Sequence, residues 1–250
     1  MNRKVFFIFI FVFALLSGSL FSQEIEVLAK NEFINLKEQQ AFEYLFAEPQ
    51  DSGRVFFVAT LRVTDDKGID RLFEAIREEA GKSGANCFRV EEYMQGTKKS
   101  SLTLSTYFAL QDYLNENNKL KEKNVIYIFG NDKDGDGKTF FKFNGKKTAV
   151  KNRTYIRYEN DIGAKAEISK GGFTGTSVTI TGSPEKSASY LTLSGWGFAP
   201  FGGYMGTAVN NGAFDVAVGG ISINTGKIHY INPNLANLLL QVWKENDTDK

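Results

Sequence analysis

From Asn124 onward the chain reads as a series of short strands divided by turn residues, and this spacing restricts the fold more than any other feature. The rhythm is that of a β-sandwich or barrel. Val125-Ile126-Tyr127-Ile128-Phe129 is an apolar run of strand length. Asp132-Lys133-Asp134-Gly135-Asp136-Gly137 forms an acidic turn, and Thr139 to Phe143 is a second strand. Asn144-Gly145 suits a two-residue hairpin turn, because both residues tolerate positive φ, and it leads into Lys146 to Val150. Thr154 to Glu159, Ala164 to Ser169, Ser177 to Thr181, Tyr190 to Leu193, Phe214 to Val218 and Lys227 to Ile231 continue the series. Asp161-Ile162-Gly163 and Gly171-Gly172 supply turns between them. Asn232-Pro233 then opens a helix, with Asn at the N-cap and Pro at the first helical position. Its Leu235, Leu238, Leu239 and Val242 share one side. The expected second module is an antiparallel β-sandwich over 124–231, followed by a C-terminal helix over 232–245.

Upstream the pattern mixes helix and strand. Glu24 to Leu36 alternates weakly, as an opening strand would, and Lys37 to Phe46 is expected as a short helix ended by Pro49. Arg54 to Thr64 places Val55, Phe57, Ala59, Leu61 and Val63 on one face, the period of two of a strand. Phe56 and Val58 make the other face partly apolar, which suits the middle of a sheet. Asp65 and Asp66 offer N-cap oxygens to a helix with Ile69, Leu72, Phe73, Ile76 and Ala80 in one stripe. Gly84 is expected to stop that helix. Strands follow at Ala85 to Met94 and Leu102 to Leu110, giving a strand, helix, strand, strand unit within a first module over 24–120.

The composition fits this α+β division. The chain has 250 residues, 42% hydrophobic and 24% charged, as expected of an ordinary globular protein. Its 22 Phe, 10 Tyr and 24 Gly against 4 Pro lean towards strands. The first residues stand apart. Asn2-Arg3-Lys4 is a basic start, Val5 to Leu16 an apolar core and Ser17 to Ser22 a small-residue approach to cleavage, so 1–22 reads as a signal peptide. The apolar core is shorter than the roughly 20 residues of a membrane span, so no transmembrane segment is expected after signal cleavage. Removing Arg3 and Lys4 from the 30 basic residues leaves 28 against 29 acidic ones. That balance offers no general attraction for nucleic acid. Cys87 is the only cysteine, so an intrachain disulfide and a cysteine-based zinc or redox centre are excluded. It is expected as a small buried hydrophobe.

Two stretches resemble known families. Glu79-Ala80-Gly81-Lys82-Ser83-Gly84-Ala85-Asn86-Cys87-Phe88-Arg89-Val90 resembles the helix, Gly-Ala-Asn, strand motif of RcsF-like and YbjQ-like bacterial envelope domains, over about 54–110. Those families carry cysteine patterns absent here, so the resemblance implies an α+β envelope module without a redox or metal role. The strand, acidic loop, strand, Asn-Gly and Arg153-Thr154-Tyr155-Ile156 sequence over 124–231 is similar to a β-sandwich domain of unknown function in secreted bacterial proteins. Gly226-Lys227-Ile228-His229-Tyr230-Ile231 fits its closing strand. That resemblance implies a fold and an exported, periplasmic or secreted, location.

Candidate sites are few. Asp132, Asp134 and Asp136 before Gly137 match the first half of a calcium loop, where alternate carboxylates turn onto one hard cation. Phe143 stands where an EF-hand needs its closing Glu, so the alternatives are a different calcium turn or a solvated acidic hairpin. Lys138, Lys142, Lys146, Lys147, Lys151, Arg153 and Arg157 form a basic run with no acidic residue between them. It suits an anionic partner or the wet face of a half-buried sheet. Trp196, Phe198, Phe201 and Tyr204 lie in a glycine-rich loop, Ser194 to Asn211, as stacking platforms for a glycan or protein, or as a lid over the core. His229, the only histidine, sits mid-strand in a structural position. No nucleophile, metalloprotease or phosphate-loop motif occurs. The expectation is a non-catalytic envelope or secreted interaction module whose partner is a protein or glycan of the cell envelope. The alternatives are a glycan-binding module using the aromatic loop, with calcium at the acidic turn, and a carboxylate-dependent hydrolase.

Overall fold

A computed structural model of the protein describes residues 24–32, 36–49, 53–171, 175–193 and 228–246. The architecture mixes α and β and is mostly strand: fourteen strands in three sheets and three short helices among the described residues. The signal-like segment, the aromatic loop and the strand expected at Phe214 to Val218 lie outside them.

The first sheet has the order β1 (Glu24–Lys30), β3 (Val55–Asp65), β5 (Ser100–Ala109), β4 (Cys87–Met94), β2 (Glu43–Tyr44). Its long central strands bury Ala59, Leu61, Val63, Leu102 and Leu104 in one cluster with Ile69, Leu72, Phe73, Ile76 and Ala80 of helix α1 (Ile69–Lys82). This is the stripe that the helical period places on one face. At the end of α1 Gly84 takes φ +84°, and its amide donates to Gly81 O at 2.9 Å.

Three local expectations need correction. Lys37 to Phe46 forms no helix. Glu43-Tyr44 instead runs parallel to β4, with Phe42, Tyr44 and Leu45 buried, so long-range burial outweighs the local helical pattern. Neither Asp65 nor Asp66 caps α1: Gly68 is the N-cap and offers no side chain, while Asp65 Oδ1 accepts from the neighbouring Asp66 amide. A polar helix, α2 (Gln111–Lys119), follows β5 where none was expected. It buries only Leu114 and Asn117, too little to leave an apolar period. Asn117 earns its burial by bracketing the β2 segment, accepting from the Phe46 amide at 2.8 Å and donating to Tyr44 O at 2.9 Å.

Beyond Asn124, one sheet has the order β11 (Thr176–Thr181), β10 (Lys165–Lys170), β7 (Lys138–Phe143), β8 (Lys146–Lys151) and is antiparallel throughout. The Asn144-Gly145 turn joins β7 to β8 with φ of +49° and +79°, as the hairpin pattern requires. The other sheet has the order β13 (His229–Tyr230), β12 (Ser189–Thr192), β6 (Val125–Phe129), β9 (Thr154–Glu159), β14 (Lys244–Glu245). It departs from a purely antiparallel plan, because β12 runs parallel to β6 and β14 parallel to β9. The C-terminal helix, α3 (Pro233–Val242), is shorter than expected. Trp243 leaves it to pack edge-on against Phe129 at 6.1 Å, and the next two residues become β14. At its start Asn232 caps as expected, accepting from the Asn234 amide at 2.8 Å.

All five residues of β6 are buried, which the alternation of side chains explains. Ile126 and Ile128 join Phe141, Val150, Ala166, Ile168 and Ile180 in one cluster. Val125, Tyr127 and Phe129 join the cluster that holds α1, α3 and the first sheet. Burial is therefore continuous across the Asn124 boundary. Asn124 itself takes φ +55°, and its side chain holds Ser183 by bonds to both amide (2.9 Å) and carbonyl (2.8 Å).

Candidate functional site

The acidic turn begins at Gly130, where any Cβ would stand 1.9 Å from Lys151 O, so the β6 end and the β8–β9 turn approach backbone to backbone. That approach sets Arg153, at φ +50°, against the turn. Its Nε donates to Asp132 Oδ1 at 2.6 Å, and its guanidinium also pairs with Asp134. Asp134 accepts in addition from Gln95 Nε2 at 2.7 Å, and Asp132 Oδ2 accepts from the Ile69 amide at 2.9 Å. Burial opposes the Arg153 charge, but the Asp132 and Asp134 carboxylates outweigh it and hold its pKa above the ordinary value. The Asp132 side chain is 5% exposed. Asp132 and Asp134 thus tie this turn to α1 and to the β4–β5 connection, while Asp136 stays exposed. Among the described residues no group of three or more His, Cys, Asp or Glu side chains is placed to share a metal ion.

The basic run divides in two. Its arginines are taken by structure: Arg153 as above, and Arg157 by Glu122 at 3.1 Å and Glu159 at 2.8 Å. Glu122 also accepts from the Tyr127 hydroxyl, whose pKa is raised by burial first and by that carboxylate second. The lysines are left over. Strand alternation sends Thr139, Phe141 and Val150 inward and Lys138, Phe140, Lys142, Lys147 and Lys151 to the outer face. Register places Lys138 directly opposite Lys151 and Lys142 directly opposite Lys147. Among the described residues none of these four has a carboxylate within ion-pair distance. Phe140 lies between the two pairs, 55% exposed, with Lys147 Nζ 5.0 Å from its ring centre. The face continues over β10 and β11 as Lys165, Glu167, Ser169, Ser177, Thr179 and Thr181. Phe140 escaped the sequence reading, although its place midway between Lys138 and Lys142 was the available signal. The hydroxyls of β11 alternate in the sequence, but their place beside the lysines had no local signal, because only register aligns Ser169 with Lys142.

The remaining candidates sit elsewhere. Trp196, Phe198, Phe201 and Tyr204 lie outside the described residues. Cys87 is fully buried, its thiol donating to Tyr107 O at 3.4 Å, and burial pushes its pKa up. His229 is buried in β13. A shallow groove lined by Glu26, Arg62, Thr64, Met94, Gln95 and Lys99 opens on the first sheet, its arginine already held by Glu26 at 3.6 Å and by Glu92 at 3.8 Å. Among the described residues no helix is long and apolar enough to cross a membrane. No protein-family model, no curated protein and no solved structure matches the chain.

Proposed function

We propose that this protein is an exported, non-catalytic interaction module that holds an anionic partner on the outer face of the β7–β8–β10–β11 sheet. In this reading the two sheets around Ile126 and Ile128 form a β-sandwich, and the first sheet with its helices buttresses it. The observation that carries the proposal is the pair of directly opposed lysines, Lys138 with Lys151 and Lys142 with Lys147. Like charges placed directly opposite one another destabilise a sheet. Lysines on an edge strand are commonly explained as protection against aggregation. That accounts for β8, which is an edge, but not for β7, which is flanked by β8 and β10. An anionic partner would relieve the repulsion at both pairs. Export rests on the Asn2 to Ser22 segment.

The test of binding is retention of the purified protein on an immobilised polyanion. Elution should require added salt, as exposed charges are screened, and a Lys142→Glu/Lys147→Glu variant should elute much earlier. Equal elution of the two proteins overturns the reading. For export, the N-terminal sequence of the protein recovered from producing cells should begin near Gln23, and a start at Met1 counts against it.

A further inference from the structure

The lysine face does not stop at charge, and its other half narrows the ligand. Resting on the anion-binding reading above, we infer that the ligand is a linear acidic polysaccharide, its sugar carboxylates on the lysines and one ring stacked on Phe140. One row crosses all four strands as Lys147, Lys142, Ser169 and Ser177. Neighbouring strands are about 4.8 Å apart, so the row presents two ammonium groups and then two hydroxyls along one extended line. Phe140 projects beside the charged end, where its face suits the C–H side of a sugar ring. Thr179 and Thr181 extend the hydroxyl half. The face carries five lysines, Lys138, Lys142, Lys147, Lys151 and Lys165, and one carboxylate, Glu167, which accepts from Ser177 Oγ at 3.0 Å. A carboxylate on this face accepts a hydrogen bond from a sugar hydroxyl, a donor that a polyphosphate chain lacks. A lipid bilayer is a poorer fit, because beyond Phe140 the face offers hydroxyls and charged groups and no large apolar side chain to insert.

Isothermal titration of the purified protein with polygalacturonate tests this, with polyphosphate, oligothymidylate, neutral dextran and phosphatidylglycerol vesicles as comparisons. The expected result is saturable, salt-sensitive binding to polygalacturonate and none to dextran. Phe140→Ala should weaken it about tenfold, the size expected when a stacked aromatic anchor is removed. Lys142→Gln/Lys147→Gln should weaken it at least as much, and Thr179→Val by a few-fold. All three changes lie on the exposed face, and unchanged thermal midpoints would confirm that the variants fold. Polyphosphate binding as tightly, with no effect of Phe140→Ala, overturns the polysaccharide and leaves the anion reading standing. Tighter, Phe140-dependent binding of oligothymidylate replaces the glycan with a single-stranded nucleic acid, and preference for the vesicles replaces it with a membrane surface. No binding to any polyanion overturns both readings.

Discussion

The backbone amide of Ile69 donates to Asp132 Oδ2 at 2.9 Å, between residues 63 positions apart. Helix α1 has a glycine at its N-cap and no capping side chain of its own, so one of its free amides is satisfied from the acidic turn after β6. The same carboxylate holds Arg153. Asp132→Ala should therefore remove a cap and leave a mostly buried arginine with Asp134 alone. We expect a loss of about 2–4 kcal/mol in urea unfolding. Asp132→Asn retains the oxygen that meets Ile69 and should lose roughly half as much. Equal stability of all three proteins would sink the account of this turn as a tie.

Glu74 gives a pH signature. Burial raises its carboxyl pKa, and the adjacent Arg77 lowers it by less. The native state therefore binds this proton more tightly than the unfolded chain does. Stability from this group is greatest below the unfolded value and falls as pH rises through the window between the unfolded and the raised native value. Glu74→Gln removes that slope. Its unfolding free energy relative to wild type should improve from about pH 4 to about pH 7; a difference that is flat with pH contradicts the assignment.

Cys87 should be silent to thiol reagents in the folded protein. It is buried and its pKa is raised, so thiolate is scarce and access is closed. A chromogenic disulfide reagent should report one equivalent after urea unfolding and almost none before. Rapid labelling of the native protein would show that the first sheet opens at β4.

Two glycines separate steric cost from conformational cost. A Cβ at Gly130 would meet Lys151 O at 1.9 Å, backbone against backbone, and Gly130→Ala should cost about 3 kcal/mol or more. Gly145 has nothing within 4 Å of the same construction but sits at φ +79°, so Gly145→Ala should cost only about 1 kcal/mol. Urea midpoints compare the two directly. Reversed order would mean that the β6 end yields more readily than the hairpin turn.

Much of the candidate face was written in the local sequence. A period of two and an Asn-Gly turn specify which side chains of β7 and β8 point outward, so the lysines were legible. The separation of Arg153 and Arg157 from them was not, because it depends on carboxylates at Asp132, Asp134 and Glu122 that reach them only in the folded chain.

The same division holds for the whole molecule. The β7 to β11 series, the apolar stripe of α1, the Asn232 cap and the burial of Cys87 could all be read from the residues alone, since each follows from side-chain period or turn chemistry within a few positions. The parallel addition of β12 and β14, the strand at Glu43-Tyr44, the polar α2 around Asn117 and the capping of a distant helix by Asp132 were settled by folding. These choices rest on burial and hydrogen bonds between residues distant in sequence. A strand's own pattern says which face is buried, but not which neighbour will lie beside it.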